Sequence, residues 1–217
     1  MKRRALIIAN GEPPKKQLLL SLANDASLVV CADGGANIAL RFGLQPDAIV
    51  GDMDSIHAQA FVKFRKITIV EDHDDNTTDL EKAIQWVISQ KIELITVVGA
   101  TGKRLDHSVG NLGVLVKFHS DAQINFVDDR GELEFVGREL RFEAKKGTTV
   151  SLIPVTRCEG VTTIGLEYAL KNECLELGVR EGTSNKVTGS PLAPTGVVIT
   201  VEQGNLLLYK LSPHHHP

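Results

Sequence analysis

The sequence predicts an α/β protein: a mostly parallel sheet with helices, followed by a smaller all-β sandwich or barrel. Three observations carry that expectation. Up to about residue 127, short apolar runs suited to buried strands alternate with amphipathic helical patterns, the signature of a largely parallel sheet. From about residue 135 the helical period disappears, and β-rich runs broken by Gly, Pro, Asn and Ser take over, as in a small antiparallel sandwich or barrel. At 217 residues the chain is long enough for two such cores. We place the domains at 1–134 and 135–217.

The strands of the first domain are expected at "ALII" (5–8), "SLVVCA" (27–32), "DAIV" (47–50), "ITIV" (67–70), "ELITVVG" (93–99) and "AQINFV" (122–127). Each is a short apolar run bounded by turn formers. Helices are expected at 35–42, 78–90 and 105–119. The second is the best specified: Thr78 and Glu81 have capping-box spacing, and Leu80, Ala83, Ile84, Val87 and Ile88 mark one apolar face. In the second domain "TTVSLIPV", "GVTTIGLEYAL", "CLELGV" and "TGVVITVEQGNLLLYKL" read as strands.

Bulk properties exclude several classes of function. A net charge of −3 leaves no electrostatic footprint for nucleic acid, and no basic run suggests a membrane surface. Cys31, Cys158 and Cys174 are widely spaced and lack a Cys-x-x-Cys pattern, which argues against a disulfide scaffold or zinc site and for the cytoplasm. The opening "MKRRALIIAN" imitates a signal peptide, but its apolar run ends at Asn10, too early for one. No stretch approaches a transmembrane span. Cys31, inside an apolar run, is expected in the core. The terminal "PHHHP" is a metal-binding tract, a remnant or a loose end.

Functional candidates fall just after the predicted strands. "DGGAN" (33–37), "GDMDS" (51–55), "EDHDDNTTDLE" (71–81) and "ATGKRLDH" (100–107) each follow one. In an open parallel sheet these loops share the carboxyl edge, where ligands bind. Asp33, Asp52, Asp54, Asp79 and Asp106 therefore converge on one cleft. Clustered carboxylates need a counter-charge, and Mg2+, a hard cation that completes its shell with substrate phosphates, is the natural one. Gly34 and Gly35 could bring backbone N–H groups to an anion at a helix start, or simply make a tight turn.

Familiar motifs fail on spacing. "DGGAN" is not a G-x-G-x-x-G fingerprint, and an EF-hand starting at Asp72 would need Gly and Glu where Thr77 and Ala83 stand. "GATGKR" has too few residues between its glycines for a Walker A loop, and Arg104 replaces the Ser or Thr. A phosphate-facing loop remains, with Gly99 and Gly102 allowing close approach and Lys103 and Arg104 supplying charge. His107 is either a general base or structural.

Taken together, "ADGGAN" (32–37), "PDAIVGDMDS" (46–55), "TDLEKAI" (78–84), "GATGKRLDH" (99–107) and "GTSN" (182–185) resemble the thiamine pyrophosphokinase family. The resemblance implies a Rossmann-like nucleotide-binding catalytic domain, then a β-sandwich for thiamine binding and dimerisation. It implies Mg-dependent transfer of pyrophosphate from ATP to thiamine, giving AMP and thiamine diphosphate. It implies a homodimer with active sites at the interface. By motif position, Asp52, Asp54 and Asp79 would hold the metal. Asp33, Asp54, Asp79, Arg104 and Asp106 would be catalytic, with Asp54 or Asp79 as the base. Gly34, Gly35, Asn37, Thr78, Gly99, Thr101, Gly102, Lys103 and Arg104 would line the nucleotide site, and Ser184 and Asn185 the thiamine site.

Two departures stand out. Asn76 occupies the place of an acid that many relatives carry before the helix, and the chain lacks a C-terminal tryptophan, its only one being Trp86. The alternatives are a phosphohydrolase with Asp52 as nucleophile and a non-catalytic nucleotide or thiamine sensor.

Overall fold

A computed structural model describes residues 3–212, so the terminal histidine tract lies outside the described residues. The chain divides into two compact units between Asp129 and Arg130. That is a few residues ahead of the boundary expected at 134/135, for a topological reason. The strand Gly131–Phe135 pairs antiparallel with the last strand of the chain, Leu206–Leu211, and so belongs to the second unit.

In the first unit, strands β1 (Arg4–Ile8), β2 (Leu28–Ala32), β3 (Ala48–Gly51), β4 (Thr68–Glu71), β5 (Leu94–Val98) and β6 (Gln123–Val127) lie within a residue or two of the expected runs. They pair in parallel in the order β6-β5-β1-β2-β3-β4. Order therefore reverses at β1, with β2 on one side and β5 on the other. The crevice outside the carboxyl ends at such a switch point is where open α/β sheets bind ligands.

Helices α1 (Lys16–Asp25), α2 (Gly35–Phe42), α3 (Ala58–Phe64), α4 (Asp79–Ser89) and α5 (Leu105–Lys117) connect the strands. α2, α4 and α5 match the expected helices; α1 and α3 were not anticipated. Neither has a side-chain N-cap. The start of α1 is held instead from far away in sequence, where the Lys15 N–H donates to Asp129 Oδ1 at 2.8 Å. α4 carries the full capping box: Glu81 N–H donates to Thr78 Oγ1 at 3.3 Å and Thr78 N–H to Glu81 Oε2 at 3.1 Å.

The core of the first unit joins Leu6, Ile8, Leu19, Cys31, Ile38, Ile49 and Phe64, so Cys31 is buried as expected. Phe64, at the end of the short α3, is completely buried. Phe64→Ala is expected to cost about 3–5 kcal/mol in a denaturant titration, because a seven-residue helix has little besides this ring to dock it.

In the second unit, β7 (Gly131–Phe135), β9 (Thr149–Pro154), β12 (Gly182–Lys186) and β14 (Leu206–Leu211) form an antiparallel set in the order β12-β9-β14-β7. β8 (Glu139–Ala144), β10 (Cys158–Ile164), β11 (Glu173–Leu175) and β13 (Thr195–Thr200) form another, in the order β11-β10-β13-β8. One cluster draws Val150, Leu152, Leu206 and Leu208 from the first set and Val161, Leu175, Val197 and Ile199 from the second. That shared core makes the unit a sandwich.

Candidate functional site

The carboxylates are assembled by the ends of β2 and β3 and the start of α4. Asp33 leaves β2 with φ 39°, and Met53, in the loop after β3, has φ 68°. Among the described residues six non-glycines have positive φ, and four of them (Asp33, Met53, Lys103 and Ser184) fall in the segments singled out from sequence. Such conformations cost about 1–3 kcal/mol each and persist where the surroundings enforce them, often at functional sites.

Gly51 lets these elements meet. A Cβ there would lie 2.8 Å from Asp33 Cβ and 3.0 Å from Asp79 Oδ1. Oxygens of Asp33, Asp52 and Asp54 all come within 4.8 Å of one another. Asp33 is 2% exposed. Its Oδ2 accepts from Ser55 N–H at 3.2 Å, while its Oδ1 is buried with no hydrogen-bond partner. Burial, and then the nearby Asp52 and Asp54 charges, push the Asp33 carboxyl above its ordinary range, despite the Ser55 and Gly34 hydrogen bonds. An unsatisfied buried acceptor beside two further carboxylates is what a hard cation would relieve, so the residues fit a metal.

Asp79 stands beside this trio. It opens α4, accepts a hydrogen bond from the Asp52 N–H, and has its proton affinity raised by burial first and by Asp33 and Asp52 next. Lys82, one turn on, places Nζ 3.7 Å from Asp79 Oδ1 and donates to the Asp72 carbonyl at 2.8 Å. An ammonium this deeply buried (5% exposed) is unusual without such partners. Sequence reading passed over it, although the Asp79 to Lys82 spacing is that of helix-surface ion pairs.

A cleft of about 470 Å³ opens at the switch point. Asp52, Thr78, Asp79, Gly99, Gly102, Lys103, Arg104 and His107 line it, joined by the unforeseen Asn10, Asp74, Asp75, Lys82 and Asn111. Two bonds fasten the loop after β1 to the loop after β5: Gly11 N–H to the Gly99 carbonyl (2.8 Å) and Glu12 N–H to the Thr101 carbonyl (2.7 Å). Lys103 Nζ adds bonds to the carbonyl and Oδ1 of Asn10 at 2.7 and 3.2 Å.

Several expected residues have other tasks. Gly34 and Gly35 do not line the cleft. A Cβ on Gly35 would sit 1.9 Å from the Ile8 carbonyl oxygen, so this glycine lets α2 pack on the end of β1; one on Gly34 would strike the Asn10 side chain. Asn37 spends its amide on the loop after β3, donating to the Ser55 carbonyl and accepting from His57 N–H, both at 2.8 Å. Asp106 lies outside the carboxylate group, exposed and paired with Arg104, which holds it down at about 2.

In the second unit Ser184 is exposed, and its N–H donates to Ser151 Oγ at 3.0 Å. Asn185 is buried and clamps Tyr168. It donates to the Tyr168 carbonyl at 2.8 Å and accepts from the Tyr168 N–H at 3.0 Å.

A switch-point cleft with acids suited to a metal and bases suited to phosphates has the makings of a nucleotide-dependent phosphoryl-transfer enzyme. Known proteins narrow the class. Residues 19–127 match the profile of the thiamin pyrophosphokinase catalytic domain, and residues 138–206 that of the thiamin pyrophosphokinase vitamin B1 binding domain. The chain is 32% identical to thiamine pyrophosphokinase 2 of Arabidopsis thaliana over 240 residues, covering 97% of this chain and 86% of that protein. It is 33% identical to thiamin pyrophosphokinase 1 of Caenorhabditis elegans over 221 residues, covering 93% and 90%. The crystal structure of thiamine pyrophosphokinase from Bacillus subtilis shares the fold, with a TM-score of 0.82 at 23% identity, covering 97% of this chain and all of the other. This chain belongs to the thiamin pyrophosphokinase family.

Proposed function

We propose that this protein is a thiamine diphosphokinase: it transfers the pyrophosphoryl group of ATP to the hydroxyethyl oxygen of thiamine. The observation that carries the reading is the trio of Asp33, Asp52 and Asp54 with its unpartnered buried oxygen, of which Asp52 lines the switch-point cleft, in a chain of this family. In the reaction the thiamine oxygen bonds to the β-phosphorus. The bond from that phosphorus to the oxygen bridging the α-phosphate breaks, AMP leaves with the electron pair, and the hydroxyl proton passes to a carboxylate.

Asp33, Asp52 and Asp54 would hold the cation, which we take as Mg2+ because every donor is a hard oxygen. When bound it supplies charge neutralisation on the phosphoryl oxygens. Asp79 suits the base: it stands beside the trio without joining its close group of oxygens, and burial together with its acidic neighbours raises its affinity for a proton. Lys82 fixes that carboxylate from behind. Lys103 and Arg104 bind phosphate oxygens, and Thr78, through the α4 cap, sets the wall between them. The catalysis asked of these groups is mainly positioning and charge stabilisation.

In the second unit, Ser184 offers an exposed hydroxyl to thiamine, and Asn185 acts by fixing the backbone of the exposed Tyr168. We read the protein as a homodimer. Exposed Ile164, Tyr168, Val179 and Leu192 support an interface on this unit. Three unpaired cysteines support a cytoplasmic setting. Among the described residues no helix is long and apolar enough to cross a membrane.

Asp54→Ala tests the assignment. Asp54 is exposed, so the melting temperature should stay close to that of the parent, while kcat should fall about 10²- to 10³-fold as the site loses one of the carboxylates that would hold the phosphate-neutralising cation. A folded variant with near-normal turnover would sink the metal assignment.

A further inference from the structure

Glu81 does more than cap its own helix. Its Oε2 accepts the Thr78 N–H at 3.1 Å, closing the α4 capping box, while its Oε1 accepts from Lys117 Nζ at 2.9 Å. Lys117 lies in the last turn of α5, so one carboxylate joins the start of one helix to the end of another. The Glu81 side chain is 14% exposed, and the Lys117 ammonium also stands 5.5 Å from the centre of the Phe118 ring, a second restraint on it. Gln would serve a capping box as well as Glu does. The negative charge at 81 therefore has a use beyond the cap, and Lys117 is the cation that faces it.

The two helices are held unequally. Leu80, Lys82, Ala83, Ile84 and Val87 of α4 are buried, and the helix packs on β1, β2 and β3. In the thirteen residues of α5 only Val114 and Leu115 are buried, while Leu105 and Val109 are exposed. Its interior Gly110 and Gly113, with nothing within 4 Å of an added Cβ, weaken the helix with no gain in packing. Both helices nonetheless line the cleft, α4 through Asp79 and Lys82, and α5 through His107 and Asn111 with Arg104 as its N-cap. Asn111, donating to the Ala100 carbonyl at 2.6 Å, fixes the middle of α5, and the Lys117 pair fixes its end.

We propose that Glu81 and Lys117 are positioning residues for the transfer: their ion pair sets the spacing between the α4 wall, with Asp79, and the α5 wall, with Arg104 and His107. The inference rests on the pyrophosphoryl-transfer reading. In-line transfer needs groups from both walls to meet the same reacting phosphate, and a misplacement of about 1 Å can cost about 10²-fold in rate. Glu81 lies two residues after Asp79, so a tilt of the α4 start would draw Asp79 off the Asp52 N–H from which it accepts. Neither residue of the pair touches the reacting atoms; they act through Asp79 and Arg104.

The test compares full-length parent with Lys117→Met, Glu81→Gln, the double variant and Lys117→Arg. Glu81→Gln keeps the cap and removes the charge, whereas Lys117→Met leaves α4 untouched, so a shared effect belongs to the pair. With Mg2+ present we expect each single variant to lower kcat about fivefold, with the KM of ATP and of thiamine moving less than about twofold. The double variant should be no worse than either single, because both remove one interaction. Lys117→Arg, which keeps a cation within reach, should recover kcat to within about twofold of the parent. Amide hydrogen exchange in ligand-free protein should quicken about tenfold along α5 in every variant except Lys117→Arg. Parental kcat with faster exchange would reduce the pair to a structural tie and overturn the proposal; additive losses in the double variant would overturn it too. A failure of the transfer reading is seen elsewhere, in a parent that makes no thiamine diphosphate, and would remove the positioning role with it.

Discussion

Asp33→Asn is expected to abolish detectable turnover while raising the melting temperature of the metal-free protein. The two effects share one cause. At neutral pH the Asp33 carboxylate is buried against Asp52 and Asp54 with one oxygen unpartnered. An amide there keeps an oxygen for Ser55 N–H and turns N–H donors towards the neighbouring acids, so repulsion becomes attraction. The sign of the pH dependence follows. Burial raises the folded carboxyl above its ordinary value of 3.8, so the folded state resists ionisation that the unfolded chain accepts. The penalty is therefore full above the raised value and fades as pH falls through it. The advantage of Asp33→Asn should be largest at pH 7 and small near pH about 4, where the unfolded carboxyl also protonates. Melts in chelator at both pH values check this. Added Mg2+ should raise the melting point of the parent and not that of the variant, since only a folded state with an intact site gains from mass action.

Gly35→Ala is expected to be the most damaging conservative change in the first unit. Its added methyl would stand 1.9 Å from the Ile8 carbonyl oxygen, a backbone atom in the central strand that cannot swing aside. Either α2 moves off β1 or β1 bends. We expect a loss of about 3 kcal/mol or more, at the upper end for overpacking, equivalent to roughly 10 °C in a chain of this size. Because α2 also carries Asn37, which holds Ser55 and His57, residual folded protein should bind metal poorly. A Gly35→Ala protein with parental melting temperature would show that the glycine serves something other than packing. By contrast, an alanine at Gly110, where nothing lies within 4 Å, should be tolerated.

These two residues also show how far the sequence could be read. Asp33 was expected at the cleft on the rule that loops at the carboxyl ends of parallel strands converge; it lies buried beside Asp52, which lines the cleft. Its place inside the tight carboxylate trio, with Asp79 at the side, depends on a backbone twist at φ 39° and on the missing Cβ of Gly51, which no spacing rule encodes. Gly35 carried two sequence readings, anion cradle or tight turn, and the structure adds a third, close packing on a strand distant in sequence. Asn37 and Asn185 illustrate the same limit. Each was placed at a binding site, and each has its amide satisfied by protein: Asn37 holds a loop and Asn185 holds Tyr168.

The elements followed the same pattern. Strands β1 to β6 were legible because buried parallel strands are short apolar runs, and α4 because it carries a complete capping box. α1 and α3 were not: like α2 and α5 they lack side-chain caps, and the start of α1 is held by a contact distant in sequence, Lys15 with Asp129. β8 was readable but unread. In "ELRFEA" Leu140, Phe142 and Ala144 face the core of the second unit while charged residues alternate with them, a period of two.

The central claim is that this cleft moves a pyrophosphoryl group from ATP to thiamine. The most direct test incubates the protein with ATP, thiamine and Mg2+ and quantifies AMP, thiamine diphosphate and inorganic phosphate by 31P NMR in one sample. We expect AMP and thiamine diphosphate to appear in equal amounts, and neither to form in the presence of chelator. Inorganic phosphate released without thiamine diphosphate would contradict the account and favour hydrolysis through Asp52; binding of both substrates with no product would reduce the site to a sensor.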